Sequence, residues 1–338
     1  MNSDLEILYK KAFKIKPEFI KEINSHSSGH KLFRLGTKYF SCLGVVNNNP
    51  DENLAFINFS ETFLKCRLNV PKIYIKSPNN VCYLEEDLGN TSLYDYLKKY
   101  YHTRKQSVIN YYKNSMEDLI KFQIFGKNSI DFSLCYQTKY FAFKQINLDL
   151  KKFMDYCLPP DLKKDFIKNR KREIIKILTE IISKENKLYF MYRDFQPRNI
   201  MIKDKRLYFI DYQSGRIGPL QYDPASFIYS GSIILNERER NQLFYYYINY
   251  LSEKIQIDKN LFIKNFYPVA LIRILQMLGS YGFNYRLTGK QEFGDKVVNA
   301  FNNLNMIGDK IENKILFAYL KSLLNNREPV ITHTLTNQ

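Results

Sequence analysis

The chain has 338 residues, more than one small core requires, so two lobes or two domains are expected. Hydrophobic residues make up 45% and charged residues 25%, a globular balance, and only 13 Gly and 11 Pro argue against long flexible linkers. The formal charge of +17 would suit nucleic acid or an acidic membrane, but the lysines are spread along the chain. Their densest cluster, KKDFIKNRKRE at 163–173, falls on an expected helix, where a solvated face accounts for it. Neither nucleic acid nor a membrane is an expected partner. Cys42, Cys66, Cys82, Cys135 and Cys157 are far apart and form no C-x-x-C pair, the usage of reduced thiols in a cytoplasmic protein. The polar N-terminus predicts no signal peptide, and no uninterrupted apolar run reaches the ~18 residues of a membrane span.

In chain order, residues 4–14 read as an amphipathic helix that stops near Pro17. SHSSGHKLFRLGTKYFSCLGVV (25–46) reads as a small-residue turn, a strand, a tight turn at Gly36-Thr37 and a second strand. Asn49, Pro50 and Asp51 start a helix whose apolar stripe is Leu54, Ile57, Phe63 and Leu64. PKIYIKSPNNVCYLEED then gives two strands around a Ser-Pro-Asn-Asn turn. Beyond Gly89 helical patterns run from Ser92 to about Glu185, with breaks near Gly126 and Pro159-Pro160, and resume from Tyr222 to about Asn325 before a frayed tail, ITHTLTNQ. The expectation is an α+β chain, with a small mixed β-sheet N-terminal lobe over 1–88 and a large, mostly helical C-terminal lobe over 89–330.

One stretch interrupts the helices: YRDFQPRNIMIKDKRLYFIDYQSG, 192–215. The run LYFMY delivers Arg193-Asp194 to a loop, NIMI turns back, Asp204-Lys205 reverses the chain, and RLYFI ends at Asp211. Such a hairpin is expected to bring Asp194, Asn199 and Asp211 to one end of a small sheet. Phosphoryl transfer needs a carboxylate that orients a hydroxyl and takes its proton, and oxygen ligands that hold Mg²⁺ on the phosphates. Alone, Asp194 or Asn199 would read as a turn-stabilising residue. The three together, with the hairpin, supply the parts of a phosphoryl-transfer site.

Y-R-D-x-x-x-x-N resembles the kinase catalytic loop H-R-D-x-x-x-x-N, and FIDYQ stands where kinases have D-F-G. With its continuation IDYQSGRIGPLQYDPAS, the stretch is similar to the aminoglycoside phosphotransferase and choline kinase group. Within that group it looks most like bacterial N-acetylmuramate and N-acetylglucosamine kinases. The resemblance runs from about residue 24 to about 290 and is specific over 190–226. It implies a protein-kinase-like two-lobe fold, ATP and Mg²⁺ as cofactors, and transfer to the anomeric hydroxyl of an N-acetylated amino sugar. It implies Asp194 as catalytic base, Asn199 and Asp211 as metal ligands, and Asp223 as a buried anchor that holds the loop and caps the next helix.

For the nucleotide the resemblance implies Ser28 and Gly29 over the phosphates, and Glu85, Glu86 and Asp87 at the hinge. Glu52 would organise a phosphate-binding lysine, but the strand CLGVVN has none, so Arg34 or Lys31 is expected to meet the phosphate. For the acceptor it implies Arg198, Gln213, Arg216, Arg273 and Gln276. The last two are three apart on LIRILQMLGSYGF, a helix that Gly279 and Gly282 are expected to end. Two rival readings stand beside this one. An aminoglycoside or choline/ethanolamine kinase would want an acidic cleft in a chain that is basic. A catalytically silent kinase-like protein is favoured by the missing lysine and opposed by the intact Asp194, Asn199 and Asp211.

Overall fold

A computed structural model describes residues 2–23, 30–184, 189–232 and 235–336. The chain divides into two units, Met1–Lys139 with Pro197–Arg216, and Tyr140–Gln196 with Ile217–Gln338.

The first unit opens with helix α1 (Asn2–Phe13). Strands β1 (Phe19–Ile23), β2 (His30–Gly36) and β3 (Ser41–Asn47) follow, then helix α2 (Pro50–Lys65), then β4 (Ile73–Lys76) and β5 (Cys82–Glu86). The five strands form one antiparallel sheet in the order β1-β2-β3-β5-β4. Leu5, Leu8 and Tyr9 of α1 share a core with Phe33, Leu35, Cys42, Cys82 and Leu84. At Gly36 the backbone passes so close to Phe40 that an added Cβ would lie 2.1 Å from its carbonyl oxygen, so the turn into β3 tolerates no side chain there. Asn49 caps α2 by accepting from the Glu52 amide, and Pro50 fills the first turn, where its missing N–H costs nothing.

Helices α3 (Leu93–Tyr100) and α4 (Lys105–Ser129) complete the run; α4 passes through buried Gly126, where a break was expected. The hairpin Ile200–Lys203 with Arg206–Phe209 belongs to this unit. Asp204 and Lys205 both take positive φ, 50° and 62°, the conformation a two-residue hairpin turn needs. Tyr212, just beyond the hairpin, is buried. Its ring stacks on Phe56 of α2 (4.8 Å between centroids), meets Phe63 edge-on, and its hydroxyl lies 2.5 Å from Ser60 Oγ. That contact fixes the hairpin to α2.

Among its described residues the second unit is mainly helical, with the short strand Tyr189–Met191 paired to Arg216–Gly218, of which Ile217 and Gly218 belong to this unit. Its core helix, Lys259–Thr288, is long and apolar enough to cross a membrane by length and composition, but 72% of its apolar window is buried inside the protein. Gly279 and Gly282 do not end it. The end is Gly289, whose φ of 63° makes the left-handed turn that closes a helix. The two inner glycines instead permit close packing against the helix Phe143–Cys157. A Cβ on Gly279 would lie 2.6 Å from Phe153 N, and one on Gly282 3.0 Å from Tyr156 O. The C-terminal stretch expected to fray forms a helix, Arg327–Thr336, with Val330 and Thr334 buried.

Because the atoms nearest that Cβ are backbone, Gly279→Ala is expected to force the two helices apart. A loss of about 1–3 kcal/mol should appear as a melting temperature several degrees below wild type; an unchanged melting temperature would show that the helices have room to slide.

Candidate active site

Each unit holds part of the expected set. In the first, Ile210 N donates to Asn199 O at 3.0 Å, which closes the hairpin and sets the two side chains beside each other. Asn199 Nδ2 donates to Asp211 Oδ2 at 2.9 Å, and Asp211 takes a positive φ of 69°. Gln213 Nε2 donates to Asp211 Oδ1 at 2.7 Å and reaches Glu52 Oε1 at 3.4 Å. Glu52 lies 3.3 Å from His30 Nε2, and Asn47 Nδ2 contacts both, 2.9 Å from His30 Nε2 and 3.3 Å from Glu52 Oε2. His30, Glu52, Gln213, Asp211 and Asn199 are thus joined in one network.

The hydrogen bond to Glu52 raises the His30 pKa, against the opposing effect of burial. Burial alone would raise Glu52; the hydrogen bond and charge of His30, with Asn47 and Gln213, outweigh it and hold the carboxyl low. Each partner thus favours the charged form of the other.

The Asn199–Asp211 pair fits a nucleotide-bound Mg²⁺. With its amide nitrogen turned to Asp211, Asn199 brings a side-chain oxygen and a carboxylate side by side, the donor chemistry that a cation on phosphates takes. Among the described residues no group of three His, Cys, Asp or Glu could hold a metal alone. A donor set of two protein oxygens is what Mg²⁺ on phosphates requires, since phosphate and water complete the octahedron.

The two expected phosphate cations, Lys31 and Arg34, lie on β2. Arg34 is tied to the hinge, its Nε 2.6 Å from Asp87 Oδ2 and its Nη2 donating to Asp87 Oδ1 and Asn90 Oδ1 at 3.0 and 2.8 Å. Lys31 is exposed and shares the strand parity of Phe33 and Leu35, the residues packed with α1, whereas Arg34 shares the parity of His30. Ser28 and Gly29 lie outside the described residues. Glu86 accepts from Lys203 Nζ at 2.7 Å. Arg198 is half-buried on the single turn Pro197–Asn199. Arg216 is buried, its guanidinium bonded to Thr138, Gln137 and Ser214 O within the same unit.

In the second unit Asp223 is fully buried and accepts from the Tyr192 and Arg193 amides, both at 2.8 Å. It lies inside the first turn of the helix Tyr222–Ile228; the N-cap is Gln221, so Asp223 holds the loop but is not the cap. Arg193 takes a φ of 77° and pairs with Asp149 at 2.8 Å. The next residue, Asp194, stays 30% exposed, with Oδ1 3.4 Å from Arg273 Nη2. Arg273, only 1% exposed, also donates to Ser226 Oγ (2.9 Å), Tyr222 OH (3.3 Å) and Gln276 Oε1. Buried in this way, it braces Asp194 instead of standing open to an acceptor.

The sequence reading did not single out His30, whose partners Glu52 and Asn47 lie far from it in the chain.

Residues 144–255, the segment that carries Asp194, Asn199, Asp211 and Asp223, match the model of the phosphotransferase enzyme family. No curated protein matches the chain. Solved structures are similar over nearly the whole length. An amicoumacin kinase bound to AMP-PNP and Ca²⁺ has a TM-score of 0.64 at 11% identity, over 98% of this chain and 97% of that one. The choline kinase of Cryptosporidium parvum Iowa II has a TM-score of 0.63 at 15% identity, over 96% and 99%. The AMP-bound spectinomycin phosphotransferase has a TM-score of 0.58 at 15% identity, over 92% and 98%. At these identities the likeness is one of fold. The chain has their protein-kinase-like, two-lobe α+β fold, and the family match agrees on the enzyme class, a phosphotransferase with a hydroxyl acceptor.

Glu85 of β5 gives a test on the nucleotide side. It is 8% exposed, and its Oε2 has no hydrogen-bond partner. Burial, then the charges of Asp87 and Glu86, push its pKa up to about 8. An acid with a raised folded value keeps its proton when the unfolded chain has lost it, so stability falls as pH rises from the ordinary carboxylate range to about 8. Glu85→Gln removes that slope. The melting temperature of the variant relative to wild type should rise between about pH 5 and about pH 8; a difference that stays flat would mean that Glu85 is ionised in the fold.

Proposed function

We propose that this protein is an ATP-dependent, Mg²⁺-requiring kinase that phosphorylates a small hydroxylated acceptor, namely the anomeric hydroxyl of an N-acetylated amino sugar. The observation that carries the reading is the state of Asp194. Its backbone is pinned by Asp223 through the two preceding amides, its carboxylate is braced by Arg273, and it remains partly open. A carboxylate held in one direction but left accessible can accept a hydroxyl proton as the oxygen attacks. Asn199 and Asp211 would hold the metal, which when bound neutralises phosphate charge. Gln213 orients Asp211 and links it to Glu52. All five cysteines are free thiols, which suits the cytoplasm.

The sugar reading is supported by the resemblance over 192–226 and by neutral hydrogen-bonding groups beside Arg273, Gln276 and Ser280. The second reading, an aminoglycoside or choline-type kinase, draws on the names of the fold neighbours. It asks for acidic groups around the acceptor, whereas Asp194 already faces a guanidinium. ATP and Mg²⁺ with a panel of sugars and amino alcohols, read by mass spectrometry, separates them. The expected product is acid-labile and has lost its reducing end. A 6-phosphate, or turnover with choline or aminoglycosides alone, would overturn the anomeric assignment.

Two variants test the chemistry. Asp194→Asn should lower kcat by about 10²–10⁴-fold with ATP affinity changed little. Asp211→Ala should abolish the gain in nucleotide affinity that Mg²⁺ gives wild type in calorimetry; equal affinity in all four titrations would point to a kinase-like protein without catalysis.

A further inference from the structure

We infer that Lys152 forms a subsite for a carboxylate on the acceptor, so that the substrate is an acidic sugar derivative and not a cationic alcohol. The inference deepens the phosphotransferase reading and rests on it. Lys152 lies on the helix Phe143–Cys157, and its half-buried ammonium donates to Ser280 Oγ at 3.3 Å on the core helix Lys259–Thr288. Gln276 Nε2 donates to the same hydroxyl at 3.3 Å, and Gln276 in turn receives Arg273, which braces Asp194. A continuous run of polar side chains therefore leads from Asp194 through Arg273, Gln276 and Ser280 to Lys152. Arg273 and Ser280 are seven residues apart, or ~10 Å of helix, about the length of a pyranose with a short acid arm. The ring of Phe283, 5.1 Å from Lys152 Nζ, offers an apolar face beside it.

Charge decides the class of acceptor. The charged groups that act on Lys152 are Asp149, Asp194 and Arg193. Both carboxylates are already engaged: Asp149 pairs with Arg193 at 2.8 Å and Asp194 with Arg273 at 3.4 Å. Lys152 itself makes no ion pair with the described residues. Three cations, Lys152, Arg193 and Arg273, thus face two anions, Asp149 and Asp194, and the surplus is one positive charge. A half-buried ammonium without a counter-ion is costly; burial lowers its pKa, with Asp149 and Asp194 pulling the other way. One carboxylate on the acceptor restores neutrality, a dianionic phosphate would overshoot it, and a quaternary or primary ammonium would be repelled. Gly279 makes the arrangement possible, because without its bare Cα the two helices could not come close enough for Lys152 to meet Ser280.

The test compares sugar acids (N-acetylmuramate, glucuronate, galacturonate) with their neutral carboxamides, as acceptors with ATP and Mg²⁺ and as ligands in calorimetry. Wild type is expected to prefer at least one acid over its amide by tenfold or more. That ratio should fall to within twofold in Lys152→Met, weaken in Ser280→Ala, and largely survive in Lys152→Arg, which keeps the charge. Equal handling of acid and amide by wild type, no binding of any acid, or an undiminished ratio in Lys152→Met overturns the subsite. Phosphotransfer by wild type to neutral or cationic acceptors, with no preference for any acid, sinks the subsite and leaves the kinase reading standing. Lys152-dependent binding of an acid without phosphotransfer does the reverse.

Discussion

The buried carboxylate of Asp223 is the constraint on which the second unit's chemistry depends. A carboxylate out of water is tolerated only when its oxygens are satisfied, and here two successive backbone amides, of Tyr192 and Arg193, do so at 2.8 Å each. Binding both amides fixes the chain direction at that point. Arg193 is held at a φ of 77°, a region that costs an ordinary side chain roughly 1–3 kcal/mol. That cost is offset by the bonds to Asp223 and by the buried pair with Asp149. The consequence falls on the next residue, since the turn sends the Arg193 side chain into the protein and leaves Asp194 partly open.

The same short helix does a second job. Tyr222 and Ser226, on either side of Asp223 along Tyr222–Ile228, give their hydroxyls to the guanidinium of Arg273. The backbone before Asp194 and the cation beside it are therefore referenced to one element, so a shift of that helix would move both together. The first unit solves the matching problem with apolar contacts. Tyr212 stacks on Phe56 and bonds to Ser60, so the residues on either side of it, Asp211 and Gln213, are held against the helix that carries Glu52. A side chain is precise when its backbone is over-determined by neighbours, and both units meet that condition.

Local rules made the hairpin legible. Asp204-Lys205 between two apolar runs predicts a reversal, Asn49-Pro50 predicts a helix start, and each forms as expected because its cause lies within four residues. The small sheet lobe and the helical remainder followed from periodicity alone. What failed depended on contacts distant in sequence. Gly279 and Gly282 look like helix ends, yet they serve as the close-approach surface of a helix that runs to Thr288. Nothing in the strand reveals that Arg34 will pair with Asp87, fifty-three residues on. His30 was unreadable for the converse reason, since its meaning comes from Glu52 and Asn47, which the fold brings to it.

The overall charge of +17 is a poor guide to what the protein selects. Exposed lysines are screened within ~8 Å at physiological salt, and most of the ion pairs they form here lie at the surface, where such pairs contribute little. Selection is set where water is excluded. In the first unit a partly buried His30–Glu52 pair balances itself, and Arg34 balances Asp87. In the second, Arg193 balances Asp149 and Arg273 balances Asp194. A half-buried cation with one neutral partner and no ion pair is informative, because the cost of leaving it alone is recovered when something else supplies the charge. The half-buried ammonium of Lys152, held by one hydroxyl and one aromatic ring, is such a charge. Under the proposed function, its place on the polar run that starts at Asp194 would tie the missing partner to the acceptor whose hydroxyl that aspartate would face.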